Sequence, residues 1–183
     1  MLDLGDTVRV FLLLGGMREN KNVTGLAESF AKGGFKGAVL VIAGAAGDSA
    51  LRTELENVAA SHPNIRLFLE FVPPARVQVF MNAANVVVFP YSDVLTSGAV
   101  LLAMTFGRAC IAPSVGAFTE TLSRQGALFF EPPSPGDLAA RLREAAALSA
   151  ETLEKMGQEN FARCRERFGW EAVASATRDL YLG

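Results

Sequence analysis

The hydrophobic positions of the chain alternate between short unbroken runs and helical periodicity. Residues 8–14 are nearly all apolar and end at Gly15-Gly16, the pattern of a strand buried on both faces of a parallel sheet. Asn22 then reads as a helix cap, with Val23, Leu26, Ala27 and Phe30 at helical spacing behind it. The unit repeats. Residues 38–43 form a second run stopped by Gly44, 49–61 a polar helix with Leu51, Leu55 and Val58 on one face, and 65–72 a third strand. Pro73-Pro74 opens a short helix carrying Val77, Phe80 and Met81, because proline is tolerated where its missing N–H has no partner anyway. Residues 86–89 are the most β-prone of all and are halted by Pro90, and 96–106 form a nearly all-apolar helix of the kind expected to be buried. Two more strands follow at 109–112 and 127–130, with a short helix around 119–123 between them. Ser134-Pro135-Gly136-Asp137 combines a cap, a proline at the first helical position and an acid three residues after the cap, and the helix behind it buries Leu138 and Leu142. Leu153, Met156, Phe161, Cys164 and Phe168 continue at helical spacing, and a last helix beyond Gly169 presents Val173, Ala176, Thr177, Leu180 and Tyr181.

Six buried-type strands alternating with helices predict a Rossmann-like α/β fold, a doubly wound parallel six-stranded sheet flanked by helices. Residues 1–183 read as a single domain, the terminal helices from about 150 packing back on it. Ligands of such sheets sit beyond the carboxyl ends of the strands, so function belongs in the strand-to-helix loops. With half its 183 residues apolar, the chain can bury a sizeable core. A net charge of −2 supplies no global field for nucleic acid or an anionic membrane, so any anion needs a local site. Asp3, Asp6 and Arg9 argue against a signal peptide or a membrane span. Cys110 and Cys164 show no metal or redox spacing, which fits a reduced, cytoplasmic setting without a metal site or cofactor.

The first candidate loop is Gly15-Gly16-Met17-Arg18-Glu19-Asn20-Lys21-Asn22. It has neither a third glycine at dinucleotide spacing nor a P-loop. A glycine pair admits a ligand close to backbone, and Arg18 and Lys21 lie three residues apart near a helix start, where an anion is also favoured. The plain alternative is two solvated surface charges. In the second loop, Thr96, Ser97, Gly98 and Ala99 open the apolar helix after the most hydrophobic strand, so their N–H groups are unobstructed toward a phosphate; simple capping is the alternative.

The ordered set carries more than its parts. Glycine strand end, Arg18 and Lys21, then Val41-Ile42-Ala43-Gly44, then Val86 to Pro90-Tyr91, Ala103 to Gly107, Gly116 with Glu120, Arg167-Phe168-Gly169-Trp170 and a closing Tyr181 resemble the C-terminal domain of family 4 glycosyltransferases of the GT-B fold. The resemblance covers nearly the whole chain. It implies a donor-binding domain for a nucleotide sugar, UDP- or GDP-linked, that works with an N-terminal acceptor-binding domain, retains anomeric configuration and needs no metal. By motif match, Arg18 and Lys21 would stabilise the leaving diphosphate, Ser97, Gly98 and Ala99 would meet phosphate, backbone near Val72 would meet the base, and Gly44 would leave room for the nucleotide. The last helix crosses to the other domain in such enzymes, so here self-association through it is the implied alternative partner.

One departure bears on this. The family's paired glutamates, eight residues apart, fall on Val94 and Leu102, neither of which can bond a ribose hydroxyl. Asp93 is the nearest acid to the first, as a substitute or as a turn-stabilising side chain. Two further functions remain: a non-catalytic interaction domain derived from a glycosyltransferase, and a sugar-nucleotide epimerase, which should carry catalytic acids and histidines not found here. His62 reads as a surface or capping residue, Trp170 as a packing residue and Glu120 as a helix-start acid. No nucleophile, base and orienting group occur together, so the isolated chain is expected to turn nothing over.

Overall fold

The apolar runs become strands because both of their faces are covered. In the computed structural model, which describes residues 8–92, 98–132 and 134–182, β1 (Arg9–Leu14), β2 (Ala38–Ala43), β3 (Ile65–Phe68), β4 (Val86–Val88), β5 (Ala109–Pro113) and β6 (Ala127–Phe130) form one sheet in the order β3-β2-β1-β4-β5-β6. Every pairing is parallel. The helices are α1 (Val23–Gly33), α2 (Ser49–Ala60), α3 (Pro74–Ala83), α4 (Gly98–Thr105), α5 (Ala117–Thr121), α6 (Pro135–Ala147), α7 (Ala150–Phe168) and α8 (Trp170–Leu182).

Side chains alternate across the sheet. Phe11 and Leu13 of β1 join one core with Leu26 and Phe30 of α1, Leu55 of α2 and Leu142 of α6. Val10, Leu12 and Leu14 join the other, with Phe80 of α3, Met104 of α4 and Phe118 of α5. Each such side chain stabilises the fold by about 1.5–3 kcal/mol over an exposed one, and a polar residue at positions 10–14 of β1 would have no wet face to turn to. The helix α7 wraps the edge of the layers: its Leu153 and Met156 belong to the first core and its Cys164 to the second. Between them Asn160, fully buried, donates Nδ2 hydrogen bonds of 2.8 Å to the carbonyls of Arg108 and Gly126, just before β5 and β6 begin.

Several expectations need correcting. The third strand stops at Phe68, not at residue 72, because its sole neighbour β2 ends at Ala43 and the last bond runs from Gly44 N–H to the Phe68 carbonyl. The helix α4 buries Val100, Ala103 and Met104 but leaves Leu101 and Leu102 half-buried, so it is covered on one side only. Asn22 and Ser134 stand at the N-caps of α1 and α6 without side-chain capping bonds. Asn22 is left-handed at φ 46, whereas a capping side chain needs extended backbone. Trp170 packs on nothing and is 88% exposed. The whole of α8 has no buried residue among those described, and Leu180 and Tyr181 are exposed as fully as Trp170.

In place of Ser134, Asp137 secures the start of α6: its carboxylate accepts a 2.7 Å bond from the N–H of Glu131 at the end of β6, and it pairs with Arg141. Loss of this cap-like bond in Asp137→Ala is expected to lower stability by about 1 kcal/mol, read as a reduced urea midpoint at unchanged slope. An unaltered midpoint would mean that the bond contributes nothing.

Candidate functional site

The order of strands reverses between β1 and β4: the chain moves outward from β1 through β2 to β3, then returns to the other side of β1. A switch of this kind opens a crevice at the carboxyl ends of the two central strands. Both candidate loops leave the sheet there. The first leaves β1 through Gly15, whose φ of +127 is reached without strain only by glycine, and its N–H donates to the Ala43 carbonyl at 2.9 Å. Buried Met17 forms an isolated parallel bridge with Ala46, so the loop runs alongside the end of β2. The opening expected at Gly44 for a nucleotide is filled: a β-carbon at Gly44 would fall on the carbonyl of Gly15, so glycine here admits the first loop.

Residues Glu19–Lys21 form a 3-10 turn in which the Lys21 N–H bonds the Arg18 carbonyl at 2.9 Å. Arg18 lies just before this turn, close enough to Lys21 for its charge to act on the ammonium. Neither is in an ion pair with any described residue. Arg18 is exposed, while Lys21 is half-buried. Burial, followed by the nearby Arg18 charge, lowers the Lys21 pKa below the ordinary lysine value. Two like charges are thus kept near each other, an arrangement that an anion would relieve.

The loops meet directly. Ser92 donates to the Asn20 carbonyl through its N–H at 3.2 Å and its hydroxyl at 3.3 Å. The Lys21 ammonium stands 5.4 Å from the centre of the Tyr91 ring, and a β-carbon at Gly15 would come within 3.3 Å of it. Tyr91 is itself locked edge-on against Phe89 and Phe118. Its part as the platform under Lys21 has only one sequence signal, an aromatic residue directly after the strand-ending Pro90.

Of the residues expected at the second loop, Asp93, Val94, Thr96 and Ser97 lie outside the described residues. Gly98 and Ala99 begin α4, where first-turn N–H groups have no intrahelical acceptor, and nothing stands within 4 Å of where a Gly98 β-carbon would be. Val72 lies beyond the end of β3 and lines a small recess of about 130 Å³ with Phe71, Arg76 and Phe80. The recess lies beyond β3 and the cations beyond β1, with β2 between the two strands. His62, read as a surface or capping residue, bonds the Val58 carbonyl through Nδ1 at the end of α2, and Glu120, read as a helix-start acid, sits in the first turn of α5. Burial pushes the Cys110 thiol up, leaving it protonated. Among the described residues no three His, Cys, Asp or Glu side chains are grouped as metal ligands, and no helix is long and apolar enough to cross a membrane.

Residues 8–147 match the family described as Glycosyl transferases group 1. No curated protein matches the chain in sequence. Among solved structures, a sucrose-phosphate synthase from Thermosynechococcus elongatus is similar at a TM-score of 0.84 and 22% identity, over 98% of this chain and 46% of that one. The C-terminal domain of a glycosyl transferase group 1 family protein from Francisella tularensis is similar at 0.78 and 19%, over 88% and 87%. Anabaena HepE, solved in complex with UDP and glucose, is similar at 0.78 and 15%, over 94% and 49%. The chain thus spans about half the length of the synthase and of HepE. These likenesses establish the parallel, helix-flanked sheet as that of GT-B glycosyltransferases.

Proposed function

The chain belongs to the glycosyl transferases group 1, and on that basis we propose that it is a donor-binding half of the family 4 type, seating a UDP- or GDP-linked hexose for retaining, metal-independent transfer. The observation that carries this is the pair Arg18 and Lys21 on the loop that leaves β1 at the switch point, close enough for the Arg18 charge to act on the Lys21 ammonium and in no ion pair with a described residue. When the bond from the sugar to the diphosphate breaks, its electron pair passes to the diphosphate oxygen. Cations fixed beforehand stabilise that growing charge more than they stabilise the intact donor. First-turn N–H groups of α4 at Gly98 and Ala99 are assigned to the phosphate as well, and by sequence Thr96 and Ser97 with them. The recess at Val72, at the carboxyl end of the sheet, is assigned to the base, and Asp93, adjacent in sequence to the first missing acid, to the ribose. HepE, a relative in fold, holds UDP and glucose.

Acceptor binding and closure of the cleft are assigned to an N-terminal domain, and α8, with no buried residue among those described, supplies the surface toward that domain or toward a second copy. Two buried free cysteines support a cytoplasmic setting. The chain alone is expected to bind UDP or GDP with a Kd in the submillimolar to millimolar range and to transfer no sugar. Calorimetric titration with both nucleotides tests this. No heat of binding with either at millimolar concentration would favour instead a non-catalytic interaction domain, to which half-buried apolar Leu102 at a ribose-binding position would then belong.

A further inference from the structure

A cavity of about 500 Å³, of the size that holds small ligands, lies between α1 and α6, on the flank of the sheet and away from the recess at Val72. Its walls are apolar where Tyr91, Phe130, Leu138 and Ala139 meet, and at Gly25 and Gly33 the side chains of Asn22 and Phe35 pack onto the helix backbone. The mutual packing of the two helices leaves one feature unexplained. Ser29, in the middle of α1, is 7% exposed, lines this cavity, and has no hydrogen-bond partner among the described residues. The rest of the residue is buried, so this hydroxyl takes its hydrogen bonds from whatever occupies the cavity, ligand or solvent.

The remaining polar groups give the space a sign. Ser134, whose hydroxyl makes no capping bond, and Gly136, whose first-turn N–H has no intrahelical acceptor, line one end at the start of α6. Arg143 lines the wall in no ion pair with a described residue, whereas Lys32 is paired with Glu28 at 3.1 Å. One net positive charge and the start of α6, with the exposed Ser134 hydroxyl, therefore stand at the mouth of a largely apolar chamber lined further in by Ser29. We propose that this cavity is a second ligand site, for a small molecule bearing one anionic head, phosphate or carboxylate, on a compact apolar ring. The head meets Gly136, Ser134 and Arg143; the ring lies between Tyr91, Phe130 and Leu138; Ser29 bonds a polar substituent or the head itself.

The site also touches the switch-point loops. Asn22, which follows Lys21, and Tyr91 with Ser92, which hold Lys21 and Asn20, are shared between the cavity and the first loop. An occupant therefore presses on the seat of Lys21 from behind, and its binding does not depend on whether that loop takes a nucleotide.

The test is a titration followed by amide NMR, with phenyl phosphate, benzoate and inorganic phosphate as probes. Phenyl phosphate or benzoate is expected to shift the amides of Ser29, Gly136 and Ala139 in a saturable way, with inorganic phosphate weaker at the same residues. Ser29→Ala, which fits the helix and removes only the hydroxyl, is expected to weaken binding about threefold to tenfold. Ala139→Leu, which fills the chamber, is expected to abolish it while leaving the first-loop amides responsive to UDP. Phosphate-head and carboxylate-head probes separate the two anion sources. Shifts confined to the first loop, equal affinity in Ala139→Leu, or no saturable shift with either ring-bearing probe would overturn the proposal; a lost UDP response alone would bear on donor binding and leave this site standing.

Discussion

Replacing Gly44 by alanine is expected to destabilise the protein by about 3 kcal/mol or more, the largest loss from adding a single methyl group at the switch point. Two costs add. At φ +145 any residue with a β-carbon is strained by about 1–3 kcal/mol. The added carbon also falls on the backbone carbonyl of Gly15, which cannot swing aside as a flexible side chain could, and overpacking of that kind costs about 1–3 kcal/mol more. Relief requires Gly15 to move, and Gly15 carries the bond to Ala43 that continues the β1–β2 ladder. For a domain of this size each kcal/mol lowers Tm by about 2–4 °C, so a fall of roughly ten degrees is expected in thermal unfolding. A change under about two degrees would show that the end of β1 yields freely, and the first loop would lose its claim to be preorganised.

Much of this architecture is legible in the chain itself. Residues 38–43 and 127–130 become β2 and β6 at those bounds, because Gly44 and a following Pro-rich turn stop them and because both faces of each are covered. The failures share a cause. The length of β3 depends on where β2 ends, which is a property of the neighbour and not of residues 65–72. The exposure of α4 depends on which helices reach it; its composition would suit a wholly buried helix, but α7 and α5 cover only part of its surface. Asn22 and Ser134 are of the right type for caps, yet capping requires a backbone conformation that the first loop denies to Asn22. At the site, the pairing of Arg18 with Lys21 is visible as a spacing, but the contact of Lys21 with Tyr91 comes from β1 and β4 being adjacent. The chamber between α1 and α6 has no motif: its walls come from residues scattered from Asn22 to Arg143, brought together by packing alone.

Reversing one charge should separate donor binding from fold. In Lys21→Ala, the loss of a charge-assisted hydrogen bond is expected to weaken UDP or GDP binding about tenfold to a hundredfold. In Lys21→Glu, like-charge repulsion is added; two unit charges 4 Å apart near a protein surface interact by about 4 kcal/mol, so binding should fall by roughly a thousandfold or more, below detection. Stability should change little in Lys21→Ala, since the only described contact of the ammonium is the Tyr91 ring, worth about 0.5–1 kcal/mol. The pH dependence has a definite sign. Burial and Arg18 hold the Lys21 pKa below the ordinary lysine value, and a bound diphosphate favours the charged amine, raising it again. Binding to the parent protein therefore takes up protons as pH approaches the lowered pKa, and affinity declines as pH rises through it, while Lys21→Ala shows no such decline in that window. Calorimetry in buffers of different ionisation enthalpy reads the proton uptake directly. Equal affinity for nucleotide in parent, Lys21→Ala and Lys21→Glu, with all three folded, would remove Lys21 from the donor site and leave the turn at residues 19–21 without a ligand.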